Sequence, residues 1–408
     1  MARTFDALVI GGGPAGATAA LRLAHSGWRV VVLEKANYPR RKVCGEYVSA
    51  TNLPLFRQLG VEKAFLDAAG PPVREVGLFA GDVTLVSKIP ESEEGEHGRA
   101  LSRENLDTML LDRAARAGAV VCQPWCAVQL QMKRDACSCK AIHRESRETK
   151  AFRARIVIAA HGSWETGSLP TQSHREPPRE TDLFGFKAHF TGYDLPAGLM
   201  PLLIFPGGYG GMVHTDGGRV SLSCCIQRRQ LHRCRKAMPG LSAPEAVLSH
   251  MKKSCQGVNH AIRNARLDGS WLSTGPIRPG IRVRPAAEIF LVGNAAGEAH
   301  PIIAEGISMA VQAAWLLCDR LISRQDEVFS GTATDGIALE YATDWRRSFS
   351  GRVRASSFFA RLAMQPIATR AVLPLLRSFP ALLTAGARLS GKANQIATTP
   401  FAIDSPST

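Results

Sequence analysis

The N-terminal part of the chain alternates two hydrophobic patterns. Residues 7–10 and 28–33 are short, nearly continuous apolar runs, typical of strands that are buried on both faces of a parallel sheet. Between them, residues 14–25 place alanines and leucines on one helical face, and Ser26-Gly27 ends this helix. The pattern therefore predicts a strand, a helix and a strand, the unit from which doubly wound α/β domains are built.

The same two patterns return further along the chain. Residues 102–117 have a helical period, and Ser102 is placed to cap that helix. Residues 155–160 and 289–292 are apolar runs that would return to the first sheet, and residues 308–321 form an apolar helix after the second run. These segments predict that one α/β domain is assembled from distant parts of the chain.

Between these segments, shorter apolar stretches predict a second, antiparallel sheet. Residues 73–90 predict two strands joined by a hairpin at Gly81-Asp82. Further short strands of this second sheet are predicted at residues 183–190, 202–206, 211–215 and 220–225. Residues 119–128 and 130–142 are predicted to be strands of a separate small sheet. Helices are predicted at residues 52–66 and 243–253.

The composition is typical of a globular protein, and the net charge limits the kinds of partner that the chain is expected to bind. Of 408 residues, 45% are hydrophobic and 21% are charged, and no run of about 18 apolar residues provides a membrane span. The formal net charge of +15 suits an anionic partner, but no zinc-finger spacing or aromatic-plus-basic motif indicates nucleic acid or a bound metal. Ten cysteines without a regular framework, and a first strand that begins at once, predict a cytoplasmic protein without a signal peptide.

The C-terminal part is both basic and apolar. Residues 345–403 contain no Asp or Glu. Their basic residues are Arg346, Arg347, Arg352, Arg354, Arg361, Arg370, Arg377, Arg388 and Lys392. Because leucines and phenylalanines lie between them and three prolines interrupt them, we expect short helices over residues 331–397 that contact an anionic membrane surface peripherally. The alternative is a set of helices packed over the substrate domain with a cationic outer face. Residues 398–408 are predicted to be a disordered tail.

The first strand–helix junction carries a nucleotide-binding motif. Gly11, Gly13 and Gly16 fit G-x-G-x-x-G, in which the glycines permit the turn, the approach of a pyrophosphate and close packing of the helix. The N-terminal amides of that helix would hold the pyrophosphate. Glu34 follows Gly16 by 18 residues, where an acid binds a ribose hydroxyl. The motif predicts a bound dinucleotide, and the alternative is a glycine-rich turn in a plain α/β domain.

Two further stretches would lie along the same cofactor. Arg40, Arg41 and Lys42 are three consecutive cations that could meet phosphate or adenine, or else remain solvated. Cys44-Gly45 would then enter the region of the reactive ring, although a cysteine there could equally be a packing residue. A second glycine-rich strand-to-helix junction lies at residues 293–308, so one long cofactor would cross the sheet and be touched at both ends.

Together these residues resemble the para-hydroxybenzoate-hydroxylase fold, a family that includes aromatic hydroxylases, geranylgeranyl reductases and flavin halogenases. The FAD-binding elements that carry the resemblance are Gly11-x-Gly13-x-x-Gly16, Glu34, the helix with Arg103, Gly293-Asn294-Ala295-Ala296-Gly297, Pro301 and Gly306. Lys42-x-Cys44-Gly45 and the sequence FPGGYG at residues 205–210 are most similar to the geranylgeranyl reductase branch. The resemblance covers roughly residues 1–350.

The resemblance implies an α/β fold with a Rossmann-like FAD-binding domain, an antiparallel-sheet substrate domain and C-terminal helices. On this basis the FAD-binding domain comprises residues 1–75, 100–165 and 280–330, and the substrate domain comprises residues 76–99 and 166–279. The C-terminal helices are residues 331–397, and the tail is residues 398–408.

The resemblance also implies roles for single residues. Glu34 binds the adenosine ribose, Arg103 lies near the pyrophosphate and Asn294 contacts the ribityl chain. The residues expected at the cofactor are Gly11, Gly13, Pro14, Ala15, Gly16, Glu34, Lys35, Arg41, Cys44, Gly45, Arg103, Gly162, Gly293, Asn294, Pro301, Glu305, Gly306 and Ile307. Asn294 and His161 stand where the family usually has Asp, which leaves the docking of NAD(P)H open. The halogenase W-x-W-x-I-P motif is absent, so halogenation is not expected.

Three activities fit these residues. The expected one is monooxygenation of a lipophilic aromatic or polyketide-like small molecule, with NAD(P)H as a transient reductant. The alternatives are a flavin-dependent reductase or dehydrogenase of C=C bonds in isoprenoid-like lipids and a non-enzymatic flavin-binding protein. Cys44, His300 and Glu305 are the catalytic candidates near the ring. The sequence does not specify the oligomeric state.

An apolar substrate is expected because the second sheet is rich in apolar side chains with few paired charges. These residues are Phe184, Phe186, Phe190, Leu199, Met200, Leu202, Leu203 and Phe205. The alternative is that they form only the core of the sheet.

Overall fold

The computed structural model describes residues 4–89, 91, 95–133, 136–163, 167–172, 176–285, 289–331, 334–379 and 381–387. The strands in these ranges are β1 Thr4–Ile10, β2 Val30–Leu33, β3 Tyr47–Val48, β4 Glu75–Ala80, β5 Val83–Lys88, β6 Arg99–Ala100, β7 Val120–Cys122, β8 Trp125–Lys133, β9 Ala136–His143, β10 Thr149–Ala159, β11 Leu183–Thr191, β12 Leu199–Phe205, β13 Gly208–Thr215, β14 Arg219–Gln227, β15 Arg266–Ile277, β16 Gly280–Ile281, β17 Ile289–Leu291 and β18 Gly297–Glu298. The helices are α1 Pro14–His25, α2 Leu53–Gln58, α3 Glu62–Ala68, α4 Arg103–Arg116, α5 Arg228–Ala237, α6 Ala243–Ser254, α7 Gln256–Ala261, α8 Gly306–Ser323, α9 Gln325–Ser330, α10 Thr334–Ala363, α11 Pro366–Ser378 and α12 Ala381–Ala387.

The first sheet joins segments that are far apart in the sequence. Its parallel part has the order β7-β2-β1-β10-β17, and β8 and β9 extend it antiparallel from the first half of β10. This arrangement confirms that the predicted apolar strands at residues 155–160 and 289–292 return to the nucleotide-binding sheet.

Period-two alternation explains how this sheet is covered on both faces. In β1, Ala7 and Val9 pack with α1, α4 and α8, whereas Leu8 and Ile10 pack with the strands β8 and β9. The parallel part of the sheet is therefore the middle of three layers, with helices on one face and the β8–β9 extension on the other, and this is why its strands are apolar throughout.

The second sheet has the order β15-β11-β14-β13-β12-β4-β5 and is antiparallel except where β12 pairs with β4. One face packs on α5, α6 and α7 through side chains such as Phe186, Phe205 and Met251. The other face includes Leu183, Tyr209 and Ile277, which pack against the C-terminal end of α10. The chain thus has the expected α/β class, with a parallel sheet, an antiparallel sheet and C-terminal helices.

Several elements differ from their predictions. Residues 52–66 form two short helices, α2 and α3, because Gly60 adopts a positive φ of 68° between them. Residues 119–128 are divided between β7 and β8, and the strand β15 was not predicted. The C-terminal region begins with the 30-residue helix α10 rather than with short helices, and Pro374 lies inside α11. The predicted tail, residues 398–408, lies outside the described residues.

The structure shows the close packing predicted for the glycine motif. Gly11 has a φ of 104°, a backbone conformation that favours glycine. A Cβ atom on Gly16 would lie 1.9 Å from the carbonyl oxygen of Gly11. Helix α1 can therefore approach the end of β1 only when this position is glycine. Within the described part of the chain, no helix has both the length and the apolar character to cross a membrane.

Candidate active site

A cavity of about 700 Å³ lies between the two sheets. The ends of β1 and β2, the junction before α8 and the loop before β3 line one side of it. The strands β4, β12, β13 and β14 line the opposite side, and α11 and α12 contribute apolar side chains. Its size falls within the range usual for cofactor and small-molecule sites.

The glycine-rich turn faces a cation across this cavity. A Cβ atom added to Gly13 would lie 3.5 Å from Nη2 of Arg103, so the absence of a side chain keeps the space between them open. Gly13 precedes α1, whose first amides have no partner within the helix and favour negative charge. The turn and the guanidinium together form a site for an anion.

Arg103 is buried, and its guanidinium is held by its own helix. Its Nε and Nη2 atoms donate to the carboxylate of Asp107 over 2.6 and 2.7 Å. Burial lowers the pKa of this guanidinium, but the charge of Asp107 outweighs burial and raises it, so Arg103 is a fixed cation. The sequence predicted an anionic partner for Arg103, and Asp107 is the partner that α4 itself supplies.

Two more cations, Arg40 and Lys42, lie beside Arg103 on the cavity wall. Burial, followed by the charges of Arg103 and Arg40, lowers the pKa of Lys42 to about 8. Asp107 and Glu34 offset part of this positive charge, but the net effect on Lys42 is still repulsive, so a further anion is favoured here. The donor set therefore fits a pyrophosphate.

Glu34 lies at the end of β2, where the motif predicts a ribose acid. Its side chain is almost fully buried and accepts hydrogen bonds from the backbone N–H groups of Gly12 at 2.7 Å and Ala36 at 3.0 Å. These bonds fix the carboxylate at the cavity edge, beside the turn of Gly11. It occupies the position from which a carboxylate can accept hydrogen bonds from ribose hydroxyls.

The second glycine-rich junction lines the other end of the same cavity. The amide of Asn294 donates to Glu298 over 3.0 Å, and both residues line the cavity. Helix α8 begins at Gly306, which also lines it, so the amides at this N-terminus favour negative charge there. A cation cluster at one end and a helix N-terminus at the other fit a long dinucleotide such as FAD.

Most of the predicted cofactor residues meet in this single cavity. Those that line it are Gly11, Gly13, Pro14, Ala15, Glu34, Lys35, Cys44, Gly45, Arg103, Gly162, Gly293, Asn294, Pro301, Gly306 and Ile307. The structure places Gly16 in the contact between α1 and β1 instead. Arg41 points away and donates to the backbone oxygen of Ser270, so Arg40 and Lys42 hold the position expected of it.

The three catalytic candidates are separated by the structure. Cys44 and His300 line the cavity, whereas Glu305 is fully buried outside its wall and forms the N-cap residue of α8. Glu305 thus lies at the start of α8 behind the cavity wall, and a catalytic role for it stays a prediction.

Glu46 forms the polar contact that links the two sides of the cavity. Its carboxylate accepts a hydrogen bond from Nε2 of His189 at 2.8 Å and forms a buried ion pair with Lys187. Burial raises the pKa of Glu46, but these two side chains outweigh burial and lower it below its ordinary value. Lys187 and His189 belong to β11 of the second sheet, whereas Glu46 lies in the loop before β3, a strand that pairs with β6 outside both large sheets. The contact therefore joins the second sheet to the loop on the opposite side of the cavity.

The same carboxylate caps α4. The backbone N–H of Arg103 donates to Glu46 over 3.0 Å. Ser102, predicted as the cap, instead donates to Asp216 through its hydroxyl at 2.9 Å and its N–H at 2.6 Å. The prediction of a Ser102 side-chain cap is wrong because carboxylates from other parts of the fold reach this helix end.

A tyrosine–histidine pair lies on the cavity wall. The hydroxyl of Tyr209 is 3.2 Å from Nδ1 of His300, and the backbone N–H of His300 donates to Ser356 over 3.0 Å. Burial and then the charge of Arg361 lower the pKa of His300 to about 4, so its imidazole is neutral near pH 7. Burial raises the pKa of Tyr209, and its phenol therefore keeps its proton.

The apolar residues of the second sheet lie on two faces, because side chains alternate along a strand. Met200 and Leu202 line the cavity. Their neighbours Leu199, Leu203 and Phe205 pack against the helices on the opposite face, together with Phe186 and Phe190. The two interpretations of this apolar set each apply to one face of the sheet.

Sequence reasoning missed the buried polar residues Lys187, His189 and Tyr209. A signal for the first two exists: both lie on one face of an otherwise apolar strand, where a buried cation requires a partner. Nothing in the local pattern identifies Glu46 as that partner, because the residues are more than 140 positions apart.

The fold and the cavity define an FAD-dependent oxidoreductase of the monooxygenase and reductase class. A model described as "FAD binding domain" matches residues 4–214, which is more than half of the chain, and the chain belongs to this family. Members and relatives of this class with monooxygenase and reductase names support enzymatic activity.

Two relatives match most of this chain. The rifampicin monooxygenase of Streptomyces venezuelae is 26% identical over 347 residues, which are 83% of this chain and 67% of that protein. The digeranylgeranylglycerophospholipid reductase of Methanosarcina mazei is 26% identical over 350 residues, which are 84% of this chain and 80% of that protein. The chain spans 64% of the length of another relative, the conditioned medium factor receptor 1 of Dictyostelium discoideum, at 25% identity over 79% of this chain.

A solved structure with the same fold is that of the myxobacterial chondrochloren halogenase. It superposes with a TM-score of 0.76 and 19% identity and covers 95% of this chain and 91% of the halogenase. At this identity the similarity extends to the fold alone.

We predict that Lys42→Met weakens FAD binding roughly 10- to 100-fold, because one charge-assisted hydrogen bond contributes about 1.5–3 kcal/mol. The stability of the FAD-free protein should not fall, because the substitution removes repulsion from Arg40 and Arg103. Flavin fluorescence titration measures the affinity. Arg41→Met is the matched control, since this neighbour lies outside the cavity, and an equal loss in both variants would contradict the assignment.

We predict that Glu46→Gln lowers the free energy of unfolding by about 3–5 kcal/mol near pH 7, because it leaves the buried Lys187 charge unpaired. The carboxylate stabilises the fold above its ordinary pKa of 4.5, and this contribution is lost as the pH falls through the lower folded pKa. The difference from wild type should therefore narrow in acid. Urea unfolding at several pH values measures it, with Glu62→Gln, in an exposed pair with Arg57, as a control expected to cost under about 1 kcal/mol.

Proposed function

We propose that this protein is a NAD(P)H-linked FAD monooxygenase that hydroxylates a lipophilic aromatic or polyketide-like small molecule. The observation that carries the proposal is the polarity of the cavity, which has cations at the end fitted to a pyrophosphate and apolar side chains where the two sheets and the C-terminal helices meet. The apolar end is walled by Met200, Leu202 and Ile204 on one side and Leu373 and Leu376 on another.

This apolar wall has two effects that suit the proposed reaction. It favours a substrate with a large apolar surface, since burial of such surface contributes roughly 25 cal/mol per Å². It also keeps water away from the reacting groups, which limits side reactions. When bound, FAD supplies the redox chemistry, passing electrons from NAD(P)H to oxygen or to the substrate.

NAD(P)H is the proposed reductant. Because the sequence offers one G-x-G-x-x-G turn, and the cavity that this turn lines fits FAD, NAD(P)H would visit the cavity transiently and leave. Tyr209 and His300 are the polar residues placed to contact the substrate, since both are neutral near pH 7 and share a hydrogen bond at the cavity wall. Tyr209 keeps its proton and can orient a phenolic hydroxyl of the substrate through a hydrogen bond.

A second candidate is reduction of a C=C bond in an isoprenoid-like lipid. The observation that favours it is the placement of Cys44 and Tyr209, two groups that carry protons, on walls of the same apolar cavity. Reduction of a double bond needs one proton in addition to a hydride, and either group could supply it. The reductase name of the Methanosarcina mazei relative is consistent with this candidate.

The reaction with oxygen separates the two candidates. The purified protein with FAD is reduced without oxygen and mixed rapidly with oxygenated buffer, and the flavin absorbance is followed. For a monooxygenase we expect the oxidised spectrum to return through a spectrally distinct species, which a lipophilic phenol consumes faster with formation of a hydroxylated product. Sluggish, single-step reoxidation, together with reduction of a geranylgeranyl substrate, would overturn hydroxylation in favour of reduction.

We predict that Tyr209→Phe lowers the kcat for the accepted substrate about 100-fold, as expected when a hydrogen bond that positions the substrate is lost, while FAD affinity stays unchanged. Steady-state product formation and flavin titration measure the two effects. Tyr193→Phe is the matched control, because Tyr193 makes the same 3.2 Å contact with Nδ1 of His214 away from the cavity. Equal activity of the two variants would show that Tyr209 has no special role in the reaction.

A further inference from the structure

The helices α11 and α12 separate the apolar end of the cavity from the outside. Residues on their inward sides line it. These residues are Thr369, Val372, Leu373 and Leu376 of α11 and Leu383 and Gly386 of α12, and the partly exposed Leu382 lies at the rim. Helix α12 is fastened to the second sheet through Thr384, which donates to the backbone oxygen of Lys88 over 2.8 Å and contacts the Ser87 hydroxyl at 2.8 Å. A ligand of the apolar end is therefore covered by these two helices.

The outward face of the same helices is also apolar. No residue of α11 is buried, and Ile367, Leu375 and Phe379 are 85%, 51% and 59% exposed. Phe358 on α10 and Leu382 on α12 are exposed as well. Large apolar side chains exposed together on neighbouring helices are typical of an interaction surface rather than of a solvated one.

Arginines accompany these apolar residues. Arg370 and Arg377 are exposed on α11, two helical turns apart, so they project on the same side as Ile367 and Pro374. Arg354 and Arg361 are exposed on the preceding part of α10. Because the sequence from residue 345 to residue 403 has no acidic residue, this surface attracts an anionic partner.

We propose that the outward face of α11 and α12 docks onto an anionic lipid bilayer and that the lipophilic substrate enters the cavity from the bilayer between these helices. The proposal rests on the lipophilic substrate of the proposed function. Arginines beside exposed apolar side chains match the headgroup and acyl-chain regions of a bilayer surface. A second copy of the chain fits this face less well, since both copies would bring arginines together.

The test is flotation of the full-length holoenzyme with phosphatidylcholine vesicles that contain or lack one quarter phosphatidylglycerol, at low and high salt. We expect binding to the anionic vesicles, weakened by salt. Arg370→Ala/Arg377→Ala should reduce partitioning roughly 30-fold, the equivalent of about 1 kcal/mol for each arginine. Ile367→Ser/Phe379→Ser should reduce it through loss of inserted apolar surface, with circular dichroism and FAD content unchanged.

Arg233→Ala/Arg235→Ala is the matched control, because it removes two exposed charges from α5 on the other side of the second sheet. If vesicle binding fell equally in this control, the net charge of the protein would explain the binding, and the docking site would be overturned. Absence of binding at low salt would overturn it as well, as would concentration-dependent dimerisation that Ile367→Ser/Phe379→Ser abolishes. Vesicle binding is measured without substrate, and the oxygen reaction is measured without vesicles, so failure of one proposal is distinguishable from failure of the other.

Discussion

The buried carboxylate of Glu46 joins the second sheet to the loop and the helix on the opposite side of the cavity. It contacts Lys187 and His189 of β11 and the N-terminal amide of α4 at Arg103. Glu46 adopts a φ of 65°, which costs about 1–3 kcal/mol for a residue other than glycine, so these contacts must outweigh that cost. The adjacent Lys42–Gly45 loop depends on them, and with it the position of a cation and a thiol on the cavity wall.

The cavity has a cationic end and an apolar end, which favour different parts of a ligand. At one end Arg40, Lys42 and Arg103 are concentrated, and Glu34 and Asp107 offset part of their charge. At the other end the walls are apolar and come from sheet and helices alike. An elongated ligand with a charged middle and a flat, less polar ring system satisfies both, which explains why FAD fits this chain and why the reacting end can exclude water.

Local patterns predicted much of the first sheet. Helix α1 has the bounds that its period and the Ser26-Gly27 signal predicted, because its capping and core positions lie within a few residues of one another. The glycine motif and Glu34 meet in space for the same reason, since one strand–helix–strand unit carries both. The second glycine-rich junction at residues 293–308 was also visible as a local pattern, and the resemblance added the expected contact of Asn294 with the ribityl chain.

The amino-acid sequence by itself determined the α/β class, the dinucleotide turn and the family, because these depend on contacts within short segments or on motifs of fixed spacing. Only the tertiary structure decided which of the consecutive cations Arg40, Arg41 and Lys42 face the cavity, since neighbouring residues in a loop have no fixed period. The tertiary structure also paired Glu46 with β11 and brought Tyr209 to His300. These contacts join residues that are far apart in the sequence. Such pairs arise from how the sheets pack, and packing is a property of the whole fold.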